Sequence, residues 1–316
     1  AVDELGEVPQ ADAVRRRMLD DAVAFYSALR GRQAEDPALR ADLVEANGRL
    51  GTLRMQLGQT DDALVSLDAA ANQADGLLRL APDEPRRLEL AMVAHNRLGI
   101  LHSMQSRGAE ARAEFTRSLE LLTRLQVDTR KREHDLQEAR LCANLGNETL
   151  DADQAIELFE RSLAAFTRIE AMTPGMERDR ARCRLALAAA ATRRNRVKEA
   201  GEQLAAAATS LAALPVDASV RGRELEAQVH DELARVQTRL GQREQAKASR
   251  QRALAIHQQL VDEHPDVLAH VERLAGTWHH LGQLAEDGAD LDAAMDAFQH
   301  SANLRLELMA KAPQNH

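Results

Sequence analysis

The sequence predicts an all-α protein: a solenoid of antiparallel helix hairpins coiled into a right-handed superhelix of about 13 helices. Three observations predict it. The 316-residue chain is 44% hydrophobic but only 2% aromatic. Its apolar mass is mainly Ala and Leu, which lead the helix scale, while strand formers are sparse. The length exceeds the roughly 250–300 residues that one globular core usually holds. Finally, Pro37, Pro82, Pro85, Pro174, Pro215, Pro265 and Pro313 punctuate the chain 41–50 residues apart, with one beat missed near residue 127. Proline breaks helices, so these are recurring turns between long stretches of helical periodicity.

The elements follow in order. In the N-terminal segment, 1–36, Ala22 and Tyr26 stand four apart, so residues 11–32 read as the second helix of a preceding half-repeat. Six repeats then span 37–82, 85–127, 130–174, 176–215, 218–265 and 266–313 as one continuous array. Each carries a Leu-small step, then an anchor Ala, then an apolar residue four further on and a small one three beyond it. Leu50-Gly51 leads to Ala63, Leu67 and Ala70; Leu98-Gly99 leads to Ala111, Phe115 and Ser118. Leu145-Gly146 leads to Ala155, Phe159 and Ser162; Leu187-Ala188 leads to Ala200, Leu204 and Ala207. Leu233-Ala234 leads to Ala246 and Ala253, with Arg250 at the middle position. Leu281-Gly282 leads to Ala294, Phe298 and Ser301, preceded by Trp278. The anchor alanines lie 48, 44, 45, 46 and 48 residues apart.

A small residue after Leu lets the two helices of a hairpin approach closely, and the Ala on the second helix faces that gap. Gly58 and Gly241 suit the turn inside the hairpin, where positive φ is cheap. Asp61 and Asp290 are candidate helix caps. In the third repeat Gly146 and Ala155 are nine residues apart where twelve is the rule, which removes almost one helical turn. The Ala188–Ala191 and Ala205–Ala208 runs thin the apolar interface of repeat four, which should be the least stable unit.

These residues resemble the tetratricopeptide repeat (TPR), whose pattern is W-x2-L-G-x2-Y followed by A-x3-F, A and P. The resemblance covers about 37–313, and the sixth repeat matches best through Trp278, Leu281, Gly282, Ala294, Phe298 and Pro313. The period, near 46 rather than 34, implies helices of about 20 residues and 30 Å, similar in style to those of kinesin light chains. Two stretches carry a closer resemblance. RRRMLDDAVAFYSALRGRQAEDPALRADLVEANGRLGTL is similar to the segment after the catalytic domain of planctomycete-type eukaryotic-like Ser/Thr kinases, and RALAIHQQLVDEHPDVLAHVERLAGTWHHLGQL to repeats in their tails. That resemblance implies a cytoplasmic, non-catalytic scaffold for protein–protein or peptide interaction, the C-terminal region of a bacterial signalling kinase. The alternative is a ligand- or peptide-sensing regulator that controls an attached effector domain.

Composition narrows the remaining classes. Net charge is −9, which argues against nucleic acid as a partner. Cys142 and Cys183 are too few for a disulfide scaffold. No apolar run reaches membrane-spanning length, and no signal-peptide core opens the chain. The absence of an initiator Met suggests a processed chain or a fragment. There is no Gly-rich loop, HRD, DFG, HExxH, CxxC or GxSxG, so no enzyme activity, cofactor or metal is expected. His95 and His102 share a helix face two turns apart, too far for one ion, and His279 and His280 diverge.

In TPR arrays the first helices line a concave, peptide-binding surface. On the alignment above that surface carries Arg49, Asn96, Arg97, Arg140, Asn144, Asn147, Arg182 and Arg193, with Asp231, Glu232, His279, His280, Gln283 and Glu286 toward the C-terminal end. Amides pair with a bound backbone and Arg grips carboxylates, so the expected partner is an acidic or extended protein segment. The last helix carries Arg305, Glu307 and Lys311, which suits a polar C-terminal cap, although Leu304, Leu306, Leu308 and Met309 leave oligomerisation open.

Overall fold

The computed structural model describes residues 37–128, 132–215 and 219–311, together with Arg17, Asp20 and Ala24, which are helical. The expected half-repeat helix, with Ala22 and Tyr26, otherwise lies outside the described residues, as does Pro313. Among the described residues from Pro37 onward there are twelve helices and no strand. In our numbering these are α1 (Pro37–Gln56), α2 (Thr60–Leu80), α3 (Pro85–Met104), α4 (Gly108–Asp128), α5 (Arg132–Glu148) and α6 (Ala152–Thr167). They continue with α7 (Pro174–Arg193), α8 (Val197–Ala212), α9 (Val220–Arg239), α10 (Arg243–Glu263), α11 (Leu268–Asp287) and α12 (Leu291–Lys311). The chain divides into two compact units, residues 1–171 and 172–316. Within each, odd and even helices pair as hairpins and each even helix packs on the next odd one.

One turn design recurs. The residue five before the anchor alanine is left-handed at Gly58 (φ 75°), Ser106 (58°), Asn195 (59°), Gly241 (72°) and Ala289 (59°). The next N–H then reaches back five residues, Gln59 to Arg54 O, Arg107 to His102 O, Arg196 to Ala191 O, Gln242 to Gln237 O and Asp290 to Ala285 O, at 2.8–3.0 Å. This is a Schellman-type closure, which satisfies carbonyls that the helix end leaves bare. The anchor alanines Ala63, Ala111, Ala155, Ala200, Ala246 and Ala294 each sit in the first turn of an even helix, N–H bonded to the carbonyl four residues back, and all are buried.

The third hairpin departs. Its turn, 149–151, is also three residues long, but α5 stops two residues after Gly146, where the other odd helices run five beyond their step. The three missing residues are therefore lost from the end of α5. Asp151 takes over as N-cap, its Oδ1 accepting from Gln154 N at 2.9 Å. Asp290 caps α12 through Ala293 N at 3.2 Å. Asp61 does not cap: it lies inside the first turn of α2, whose cap residue, Gln59, offers no side-chain bond. At the hairpin entrances Glu84 and Thr173 cap α3 and α7 ahead of Pro85 and Pro174, since proline costs no hydrogen bond at a first helical position.

The helices of a hairpin touch where the small residue removes a side chain. A Cβ at Gly99 would stand 2.7 Å from Phe115 Cε1, one at Gly146 2.7 Å from Phe159, and one at Gly282 2.6 Å from Phe298; at Gly51 it would overlap Leu67. One turn further along, Ser118, Ser162 and Ser301 donate across the hairpin to Met92 O, Ala139 O and Ala275 O at 2.8, 2.7 and 2.9 Å. The bulk of the core is uneven. The buried phenylalanines, Phe115, Phe159 and Phe166, all belong to unit 1, whereas the largest fully buried side chains of unit 2 are leucines such as Leu187, Leu204, Leu260 and Leu274. Unit 2 around α7 and α8 is built from Ala181, Ala188, Ala191, Ala200, Ala207 and a few Leu and Val.

Candidate functional site

Unit 1 carries six of the eight groove candidates, on its odd helices: Arg49 on α1, Asn96 and Arg97 on α3, and Arg140, Asn144 and Asn147 on α5. Arg182 and Arg193 lie on α7 in unit 2, both exposed, with Arg182 turned to Asp179 at 3.3 Å. Arg49, Arg140 and Asn147 are exposed; Asn96, Arg97 and Asn144 are half-buried.

The structure brings Arg49 and Arg97 together. Odd helices α1 and α3 pack side by side, and between them lies a cavity of about 160 Å³ lined by Val44, Glu45, Gly48, Arg49, Arg86, Glu89, Leu90, Val93, Ala94 and Arg97. Arg97 crosses α1 at Gly48: a Cβ there would overlap its Nη1. Glu45 accepts from Arg86 Nη2 at 2.7 Å and stands 3.7 Å from Arg49 Nη2. No hydrogen bond or ion pair holds the Arg97 guanidinium to any described residue. Burial and then the neighbouring Arg49 charge lower its affinity for its proton, with Glu45 opposing. Beside it, Asn96 Oδ1 is buried with no hydrogen-bond partner among the described residues. Buried polar groups are nearly always satisfied, so the Asn96 oxygen is an exception.

Sequence reasoning missed Gly48, Glu45 and Arg86. The signal was present: two residues before the Leu of the step, the other repeats carry Asn96, Ala143, Leu185, Asp231 and His279, and only this one has Gly. It also misplaced Asp231, which is a partner within the packing. Asp231 on α9 accepts from Arg250 Nη1 at 2.5 Å and pairs with His257 Nε2 at 3.0 Å, both on α10, with Thr277 Oγ1 of α11 at 3.5 Å. Burial alone would raise its carboxyl, but His257 and Arg250 together hold it below the usual carboxylate range. Arg250, the departure from the repeat pattern, is therefore a buried cation with its own counter-ion.

A second buried group underlies α3. His95 places Nδ1 2.6 Å from Glu114 of α4 and Nε2 3.4 Å from Asp75 of α2. Burial opposes its charge, yet the two carboxylates prevail and raise its pKa. Trp278 stacks on His300 with ring centroids 4.5 Å apart, joining α11 to α12. Cys142 and Cys183 are buried and form no disulfide. Among the described residues no His, Cys, Asp and Glu cluster could hold a metal ion, and no helix is long and apolar enough to cross a membrane.

No family model and no curated protein matches the chain. Solved structures do. The S. pombe nuclear import adaptor Nro1 is similar with TM-score 0.59 and 11% identity, covering 88% of this chain and 95% of its own. BtubC (BKLC) from P. vanneervenii is similar with TM-score 0.55 and 20% identity, over 81% and 93%. A putative kinesin light chain from Podosopora anserina with nearly identical TPR-like repeats is similar with TM-score 0.51 and 21% identity, over 71% and 97%.

Proposed function

From a fold of the TPR-like α-solenoid kind, we propose that the chain is a non-catalytic scaffold whose odd-helix face in unit 1 captures a protein or peptide segment. The observation that carries this reading is the half-buried Arg97 guanidinium on α3, which lines the cavity shared with α1 and has no hydrogen bond or ion pair to any described residue. Stability gains little from leaving that cation without a partner, whereas an extended segment supplies an acceptor for it. Asn144 and Asn147 on α5 continue the same kind of chemistry within unit 1. Nro1 is a nuclear import adaptor, and a fold used by an adaptor supports an adaptor reading here.

The wider setting is part of the same proposal. One six-repeat array follows a half-repeat, in the C-terminal region of a cytoplasmic Ser/Thr kinase signalling protein, on the strength of the segments quoted above. Peptides selected on the immobilised protein from a random display library test the site. Replacing Arg97, Asn144 and Asn147 together by Ala should abolish their capture while the far-ultraviolet circular dichroism stays helical. Unchanged capture rejects this face as the binding surface. The reading frame upstream of Ala1 tests the setting, with HRD and DFG motifs as the expected result.

A further inference from the structure

We propose that the outer face of α12 is the contact surface for a second copy of this chain, the two α12 helices lying antiparallel about a two-fold axis near residue 300. The face has the form of one that receives a helix. α2, α4, α8 and α10 each pack on the odd helix that follows. The residue after the anchor alanine lies on that side: a Cβ at Gly201, next to Ala200 on α8, would stand 3.3 Å from Val236 Cγ1 of α9. Positions seven and fourteen further on share the same side of a helix. In α2 these three positions are Leu64, Ala71 and Leu78, half-buried or buried. In α12 they are Met295, Ala302 and Met309, and all three are exposed. Leu291 and Leu306 adjoin them, so four large apolar side chains, 50–72% exposed, share one side of a single helix. A contiguous exposed apolar patch of this kind marks a contact surface.

Two properties of the face select a second copy as its occupant. The first is spacing. Leu291, Met295, Phe298, Ala302, Arg305 and Met309 follow one another in steps of four and three, the seam along which two helices interlock. The series reads the same from either end about residue 300. An antiparallel copy therefore sets Leu291 opposite Met309, and the small Ala302 opposite the half-buried Phe298. Met295 falls opposite the aliphatic stem of Arg305 and beside Leu306. A two-fold contact requires this self-complementarity, because every pairing in it occurs twice. The second property is charge. The exposed turn leading into α12 is acidic, with Glu286, Asp287 and Asp290, whereas the exposed far end carries Arg305 and Lys311 around Glu307. Antiparallel pairing brings each acidic turn to the other copy's Lys311, while parallel pairing would set acid against acid. A foreign helix would need both matches at once; a second copy has them by construction.

Sedimentation equilibrium of the intact chain, from about 1 μM to about 0.5 mM, tests the contact over the range in which weak dimers dissociate. A monomer–dimer equilibrium is expected. Met295→Glu combined with Met309→Glu, both at exposed positions, should weaken it by about tenfold or more, the fold-change of losing a buried Met side chain, with unchanged circular dichroism. Lys311→Glu alone and Asp287→Lys alone should each weaken the dimer by about threefold, the size of an exposed ion pair. An equimolar mixture of these two variants should dimerise as well as the unaltered chain, since both charge pairs are restored across the two-fold axis. A parallel pair would feel neither single change, because each only exchanges one like-charged pair for another. A chain that stays monomeric throughout, a dimer indifferent to the two Met substitutions or to both charge changes, or a series of species that keeps growing with concentration overturns the proposal. The first of these results leaves the face to a different helix, and the last marks a head-to-tail contact.

Discussion

Substituting Ala for Gly in a helix interior normally stabilises it by about 0.5–1 kcal/mol, because the unfolded chain has less freedom to lose. Unit 1 offers two such glycines with opposite surroundings. At Gly76 on α2 a new Cβ would meet only Arg79 Nη2, at 3.7 Å, the far end of a mobile side chain. At Gly99 on α3 it would stand 2.7 and 2.8 Å from Phe115 Cε1 and Cδ1 and 3.2 Å from Glu114 Cβ. Carbon atoms settle at about 3.5–4.0 Å, so the ring must retreat by about 0.8 Å, and Phe115 is 1% exposed with nowhere to go. Overpacking of this kind costs about 1–3 kcal/mol. The helix gain is common to both sites, so the two variants should differ by that same 1–3 kcal/mol, with Gly76→Ala the more stable. Phe115→Ala, itself worth about 3–5 kcal/mol of destabilisation, removes the obstacle, so adding Gly99→Ala in that background should now stabilise. Native-state hydrogen exchange of α3 and α4 reads the effect locally and does not require both units to unfold together. If Gly99→Ala protects these helices as well as Gly76→Ala protects α2, the helices are not held apart by the side chain at that point and the packing argument fails.

Four further outcomes are expected. The pKa of His95 is raised in the folded state, so its contribution is present below the unfolded value of 6.5 and is lost as pH rises through the folded pKa; exchange in α2–α4 should quicken above neutrality and His95→Gln should flatten that dependence. In unit 2 the sign reverses. Burial lowers the pKa of His230 and of His270, so α9 and α11 should lose protection as pH falls below 6.5, and a pH-independent unit 2 would contradict it. Arg250→Leu restores the apolar residue of the other repeats but strips Asp231 of its cation, so denaturation of unit 2 should come earlier by about 1.5–3 kcal/mol, and a neutral result would show that Asp231 reaches water instead. Finally, α7 and α8 should exchange fastest among the helix pairs, since their shared core is mainly Ala, and slowest exchange there would refute the thin-interface argument.

What the sequence made legible was whatever is local to one hairpin. The Pro-bounded helices, the left-handed Gly58 and Gly241 and the start of each even helix three residues before its anchor Ala depend on neighbours within a few residues, and periodicity records them. Ser106, Asn195 and Ala289 hold the same left-handed position without glycine, so composition gave no hint of them. Contacts that join three helices were not legible. Arg250 looked like a defect because its counter-ion, Asp231, is 19 residues away on another helix, and Asp231 looked like a groove acid for the same reason. The cavity depends on Gly48 of one repeat meeting Arg97 of the next, a juxtaposition set by the packing of α1 on α3. Periodicity places a residue on a face but does not say which residue of the neighbouring helix stands opposite.

The shared turn has a consequence for how such a chain changes over time. In five hairpins the closure involves only six consecutive residues and their own backbone groups, so it makes no demand on the repeats at either side. A crossover between two genes, or between two repeats of one gene, that falls within this six-residue segment joins an odd helix to a foreign even helix without disturbing the junction. What the crossover must still match is the partnership of the small residue with the side chain that fills its place, such as Gly with Phe or Leu. The hairpin turn is thus a natural seam for recombination, and the fit across the hairpin is the filter on which exchanges survive.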